Sequence, residues 1–149
     1  MPHDGFHPDL HPSDRSTRNR VRHVRSSELD DDTPQSEGMH RFAAISGRAV
    51  GSEKLWMGET HVGAQVASAN HHHGESETAI FVRSGHPDFV FHDGTREVRV
   101  STSPGDYVFI PPYLPHREEN PSLDEPAVVV IARSTQEPIV VNLPELYPL

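Results

Sequence analysis

The chain has 149 residues, enough for one domain with its own core, and its formal net charge of −9 repels phosphate backbones, which argues against nucleic acid as a partner. It has no Cys, so disulfides, thiolate nucleophiles, iron–sulfur clusters and Cys-ligated zinc are excluded; its one lysine, Lys54, is the only side chain that could form a Schiff base. No apolar stretch reaches the length of a signal peptide or a membrane span, so the expectation is a cytoplasmic protein with no membrane partner.

Residues 1–20 are rich in Pro, Asp, Ser and Arg and poor in apolar residues, which predicts a disordered or loosely docked arm. His3, His7 and His11 recur every four residues there, but Pro8 and Pro12 break the helix that would align them. Residues 21–149 are expected to form a single domain. Val21–Arg25 reads as a first short strand, and the acidic run after it has room for one helical turn beginning near Ser26 or Ser27. From Met39 onward, short apolar runs alternate with turn residues. Strands are predicted at Arg41–Ser46, Lys54–Val62, Thr78–Ser84, Asp88–His92, Glu97–Ser101, Tyr107–Ile110, Ala127–Arg133 and Pro138–Val141. His92-Asp93-Gly94-Thr95 is the signature of a hairpin turn between two of them. Fourteen prolines and ten glycines punctuate the chain too often for long helices, so the fold class is all-β, a sandwich or barrel.

Two segments carry chemistry. Asn70–Gly85 reads NHHHGESETAIFVRSG, three imidazoles and nearby carboxylates leading into a strand. On extended backbone His71, His73 and Glu77 share one parity and His72 takes the other. Glu75 shares that parity too and is the competing carboxylate. Pro104–Asn120 reads PGDYVFIPPYLPHREEN. Here a strand ends at the prolines, and a second strand from His116 is expected to return antiparallel beside it, bringing His116 to the His71–Glu77 cluster.

These two segments resemble the paired motifs of the cupin superfamily, and the likeness extends over about Lys54–Arg133. His71, His73 and Glu77 match the core of the first motif; Gly105, Pro111, His116 and Asn120 match the second. Three departures stand out. Seven residues rather than the usual five separate Gly63 from His71, seven rather than six separate Glu77 from Gly85, and Tyr113 replaces the second-motif Gly. That last change predicts a turn that avoids positive φ.

The resemblance implies a double-stranded β-helix, or jelly-roll, barrel. It implies one divalent transition metal per chain (Fe, Mn, Ni, Zn or Cu) held by His71, His73, Glu77 and His116, with open positions for water, oxygen or substrate. Phe81, Arg133 and His61 are candidate walls of a substrate pocket. Asp106 and Asn120 are expected to be structural, and Trp56 to lie in the core or at a dimer interface. The implied function is a metal-dependent enzyme acting on a small organic molecule, an oxygenase or an isomerase, decarboxylase or lyase, with a dioxygenase favoured. A non-catalytic small-ligand sensor is the other reading. A homodimer is expected by analogy.

Overall fold

The computed structural model of the protein describes residues 20–147, so the expected arm and its His3, His7 and His11 lie almost wholly outside the described residues. Among the described residues, ten strands form two antiparallel sheets, and helix is confined to a 3-10 turn at Ser26–Glu28 and the single turn α1 (Gly47–Val50). The first sheet contains β1 (Met39–Ile45), β2 (Trp56–Val62), β4 (Thr78–Ser84), β7 (Tyr107–Ile110) and β9 (Ala127–Arg133), in the order β1-β2-β9-β4-β7. The second contains β3 (His71–His72), β5 (Asp88–His92), β6 (Glu97–Ser101), β8 (His116–Glu119) and β10 (Val141–Asn142), in the order β10-β3-β8-β5-β6.

The core follows from period-two alternation. Along β4, Thr78, Ile80 and Val82 are buried while Ala79, Phe81 and Arg83 lie on the other face. Ile80, Val82, Ile110 and Val129 of the first sheet pack with Phe89 of the second, which ties the two sheets together. Each such buried side chain is worth roughly 1.5–3 kcal/mol of transfer free energy. A second cluster of Met39, Val62 and Ala127 fills the far end. Polar anchors pin the loops. The Asn120 side chain donates to the carbonyls of Val62, Gly63 and Glu125 at 3.2, 3.1 and 2.8 Å. Asp106 accepts from the Ser103 amide at 2.9 Å. Both are structural, in line with expectation.

Of the eight strands expected after Met39, five hold to the residue and two to within two residues, and a turn over Asp93–Arg96, one residue later than expected, closes the β5–β6 hairpin. The expected Pro138–Val141 is strand only at Val141, because Pro138 has no amide to donate and pairing with β3 begins at Val141. Three other expectations differ from the structure. Val21–Arg25 forms no strand; among the described residues, regular structure begins with the 3-10 turn, and the first link to a sheet is the Asp30–Ala43 bridge. The strand from His116 does not pair with the one before it: β7 pairs with β4, while β8 pairs with β5 and β3, so the chain crosses from one sheet to the other at Pro111–Pro115. Tyr113 sits in that crossing at φ 61°, the left-handed conformation its Cβ disfavours. Its amide donates to the Gly74 carbonyl at 2.8 Å, which ties the crossing to the loop after His73.

Candidate metal centre

β3 is only two residues long, yet it places His71 directly opposite His116 of β8. His73 follows one residue beyond the strand, on the same side as His71. The rings form a compact triangle, with centroids 4.5 Å apart for His71–His116, 4.7 Å for His71–His73 and 5.0 Å for His73–His116. A ring nitrogen from each lies within 4.8 Å of those of the other two.

The hydrogen bonds fix the tautomers. Nδ1 of His71 lies 2.6 Å from the Ala69 carbonyl, Nδ1 of His73 lies 2.9 Å from that of Ile139, and Nδ1 of His116 lies 3.0 Å from that of Leu114. A carbonyl oxygen only accepts, so each Nδ1 carries the proton and donates it. Each Nε2 is left with a lone pair and no protein partner. Burial favours the same neutral form. Desolvation first, and the neighbouring imidazoles after it, push His116 down to about 3; desolvation first pushes His73 to about 4 and also lowers His71. Three neutral imidazoles with their inner nitrogens converging and their outer nitrogens anchored are a donor set suited to a transition metal. His72 faces the other way; its Nδ1 accepts from the Gly74 amide at 2.9 Å, and its ring packs near Tyr113.

Glu77 is not part of this group. It is exposed, on the outward parity of the strand that follows, while its neighbours Ser76 and Thr78 are buried. Its amide donates to Ser134 Oγ at 2.9 Å. The expected four-ligand set therefore becomes three histidines, because the turn at Gly74–Glu75 shifts the parity carried forward from His73. The inward position belongs to Thr78, which is 6% exposed and shares a cavity with all three histidines. The spacing holds the signal. Four residues separate His73 from Thr78 and six separate Thr78 from Gly85, so the motif runs in register through Thr78, not Glu77.

The cavity has a volume of about 710 Å³. Arg133 lines it, with its guanidinium 3.9 Å above the Trp56 ring and donating to the carbonyls of Thr135 and Gln136 at 3.0 and 2.8 Å. Burial lowers Arg133 to about 10, which leaves it cationic at neutral pH. Phe81 and His61 are not in the wall. Both point out from the first sheet, Phe81 against Tyr107 and His61 against Phe42 and Glu59, because each has the opposite parity to its strand's buried residues.

Two charged residues not singled out in the sequence also line the cavity. Glu118 shares the inward parity of His116 on β8, and its Oε1 is sealed from solvent with no hydrogen-bond partner. Desolvation raises Glu118 to about 7, and the positive charge of Arg41 opposes that rise. Arg41 comes from the inward face of β1, and burial lowers its pKa. The alternation of His-Arg-Glu-Glu along β8 was the available signal for Glu118.

Comparison with known proteins agrees with this architecture. A family model described as a cupin domain matches residues 56–132. No curated protein matches the chain. Among solved structures, the polyketide cyclase RemF from Streptomyces resistomycificus is 21% identical with a TM-score of 0.67, over 83% of this chain and 86% of that one. An uncharacterised conserved protein with a double-stranded β-helix domain from Klebsiella pneumoniae is 15% identical with a TM-score of 0.62, over 85% of this chain and all of that one. A variant of Bacillus subtilis oxalate decarboxylase OxdC is 23% identical with a TM-score of 0.66, over 78% of this chain. This chain spans only 31% of that decarboxylase.

Proposed function

The chain belongs to the cupin domain family, and from that premise we propose that it is a metal-dependent enzyme acting on a small organic molecule at His71, His73 and His116. The observation that carries the reading is the convergence of three neutral, Nδ1-anchored imidazoles on one roomy cavity. An imidazole lone pair turned into a cavity with no protein partner is free to bind a ligand. Three of them facing one another are explained by a shared ion.

The donor set suits Fe, Mn, Ni, Zn or Cu. Manganese gains some support from the Mn(II) centres of Bacillus subtilis oxalate decarboxylase, a fold relative at 23% identity and a TM-score of 0.63. A bound metal would polarise a coordinated oxygen and lower the barrier to proton or bond transfer there. The chain's own groups supply the rest. Glu118 holds or releases a proton near neutral pH inside the cavity, which is what a general acid–base group needs. Arg133, braced by Trp56 and two carbonyls, offers a fixed cation that can orient a polar substrate. The apolar walls from Ile80, Phe89, Ile110 and Ile131 limit access of water.

The same reading includes a homodimer, supported by the exposed aromatics Tyr107 and Phe109 on the edge strand β7. Light scattering on the purified chain tests it, and a monomer at working concentration would contradict it.

The function is tested by elemental analysis of protein purified without added metal, followed by turnover assays on small acids and phenols with and without oxygen. Metal-dependent conversion of any member, lost in His73→Ala, supports the enzyme reading. Stoichiometric metal with binding but no conversion across the panel favours a ligand-binding barrel.

A further inference from the structure

Thr78 stands where the strand register turns a side chain into the cavity that the three histidines line, and its hydroxyl carries no charge. The consequence, which rests on the metal reading above, is electrostatic. Three neutral imidazoles bring no negative charge to a dication, so both of its positive charges stay uncompensated by the ligand set. Two arginines and three carboxylates line the cavity around it, and only one of those carboxylates lies inward. Arg41 and Arg133 both line it, and Arg133 pairs with Thr78 across the β4–β9 ladder. Glu118 is the one carboxylate within the interior part of the lining. Asp32 and Glu37 stand at the exposed rim, and Asp32 is already paired with Arg48 at 3.0 Å. A buried excess of positive charge is costly until an anion offsets it.

We infer that the metal-loaded centre recruits a small organic carboxylate as a ligand, completing its set with the negative charge that Thr78 does not supply. A protein carboxylate at this position would both fill a coordination site and cancel a unit of charge, and the threonine leaves both tasks to the incoming molecule. The cavity volume of about 710 Å³ is ample for a small acid. Arg133 adds a second anchor for a molecule with two anionic ends, since its guanidinium uses Nε and Nη2 for backbone carbonyls and has no hydrogen bond at Nη1 among the described residues.

The experiment loads the full chain with Co(II) and follows its visible absorption while acetate, azide and neutral acetamide are titrated in. Acetate and azide are expected to change the spectrum saturably, and acetamide to act at least about tenfold more weakly. Thr78→Glu should raise cobalt affinity and weaken acetate and azide by about tenfold or more. Thr78→Asp makes the same comparison if the glutamate variant does not fold. Thr78→Val should leave anion binding in place. If cobalt binds in a manner that depends on His73 and His116 but neither anion perturbs it, the inference fails while the metal centre stands. Equal anion affinity in Thr78→Glu and the unaltered chain also overturns it. If cobalt does not bind, the metal centre itself is wrong, and the inference falls with it.

Discussion

His71 and His116 face each other across the β3–β8 pairing with ring centroids 4.5 Å apart, and each donates Nδ1–H to the backbone carbonyl two residues before it in its own chain segment. That symmetry turns two rings that would otherwise sit in separate loops into opposed donors, and His73 closes the triangle through the carbonyl of Ile139. The anchors make the imidazoles rigid and keep them basic at Nε2.

The first expectation concerns those anchors. They are backbone carbonyls, so side-chain substitution at Ala69, Leu114 or Ile139 leaves them intact, whereas replacing a ring removes a donor. His116→Gln should lower metal affinity by at least about tenfold, as measured by competition with a chromogenic chelator. Affinity within twofold of the unaltered chain would show that His116 is not a ligand.

Acidification should destabilise the metal-free protein, with a sign that follows from the histidines. Their folded values lie below the ordinary 6.5, at about 4 for His73 and about 3 for His116, and His71 is lowered as well. Between those values the unfolded chain binds more protons, so stability falls as pH drops below 6.5. Glu118 acts in the opposite sense: raised to about 7, it holds more protons when folded and loses its contribution as pH rises through 7. Glu118→Gln removes that opposing contribution, so its stability should fall more steeply on acidification. Urea midpoints from pH 7 to pH 4 test this, and a slope unchanged or shallower in Glu118→Gln would contradict it.

Much of the fold was legible because burial is one-sided. Strands such as Thr78–Ser84 and Ala127–Arg133 alternate cleanly or run apolar between turn residues, so pattern alone located them. The short strands were harder. β3 has two residues and contains only histidines, so no apolar period marks it, and its pairing with β8 is a long-range fact. The ligand histidines are legible from spacing, whereas Glu77 follows from a motif spacing of three residues after His73 that four residues to Thr78 meet equally well, and from an extended parity that Gly74, at φ 56°, does not carry through. Tyr113 shows the same limit. Its left-handed backbone is imposed by the crossing between sheets and by its bond to Gly74, a tertiary cause that outweighs local preference.

Gly85 closes the first motif at φ 79°, and a Cβ there would lie 2.7 Å from Ala127 Cα and 2.8 Å from the Pro126 carbonyl oxygen. Those are backbone atoms of a neighbouring strand and cannot swing aside. Gly85→Ala should therefore cost about 3 kcal/mol or more, combining left-handed strain with overpacking. Chemical denaturation measures it, and a loss under about 1 kcal/mol would contradict the packing described.

Arg133 and Trp56 offer an optical readout, since Trp56 is the only tryptophan. Arg133→Lys keeps the charge but loses the planar stack and the pair of carbonyl bonds. It should shift Trp56 emission and lower stability by roughly 1–2 kcal/mol. Unchanged emission together with unchanged stability would place the guanidinium elsewhere.

Metal stoichiometry by mass spectrometry on Glu77→Gln, Thr78→Val and His73→Ala, each refolded with one added metal and dialysed, decides whether three histidines hold the ion without Glu77. Glu77→Gln and Thr78→Val should retain about one metal per chain, like the unaltered protein, while His73→Ala loses most of it. Loss of metal in Glu77→Gln with retention in His73→Ala would contradict the site as described.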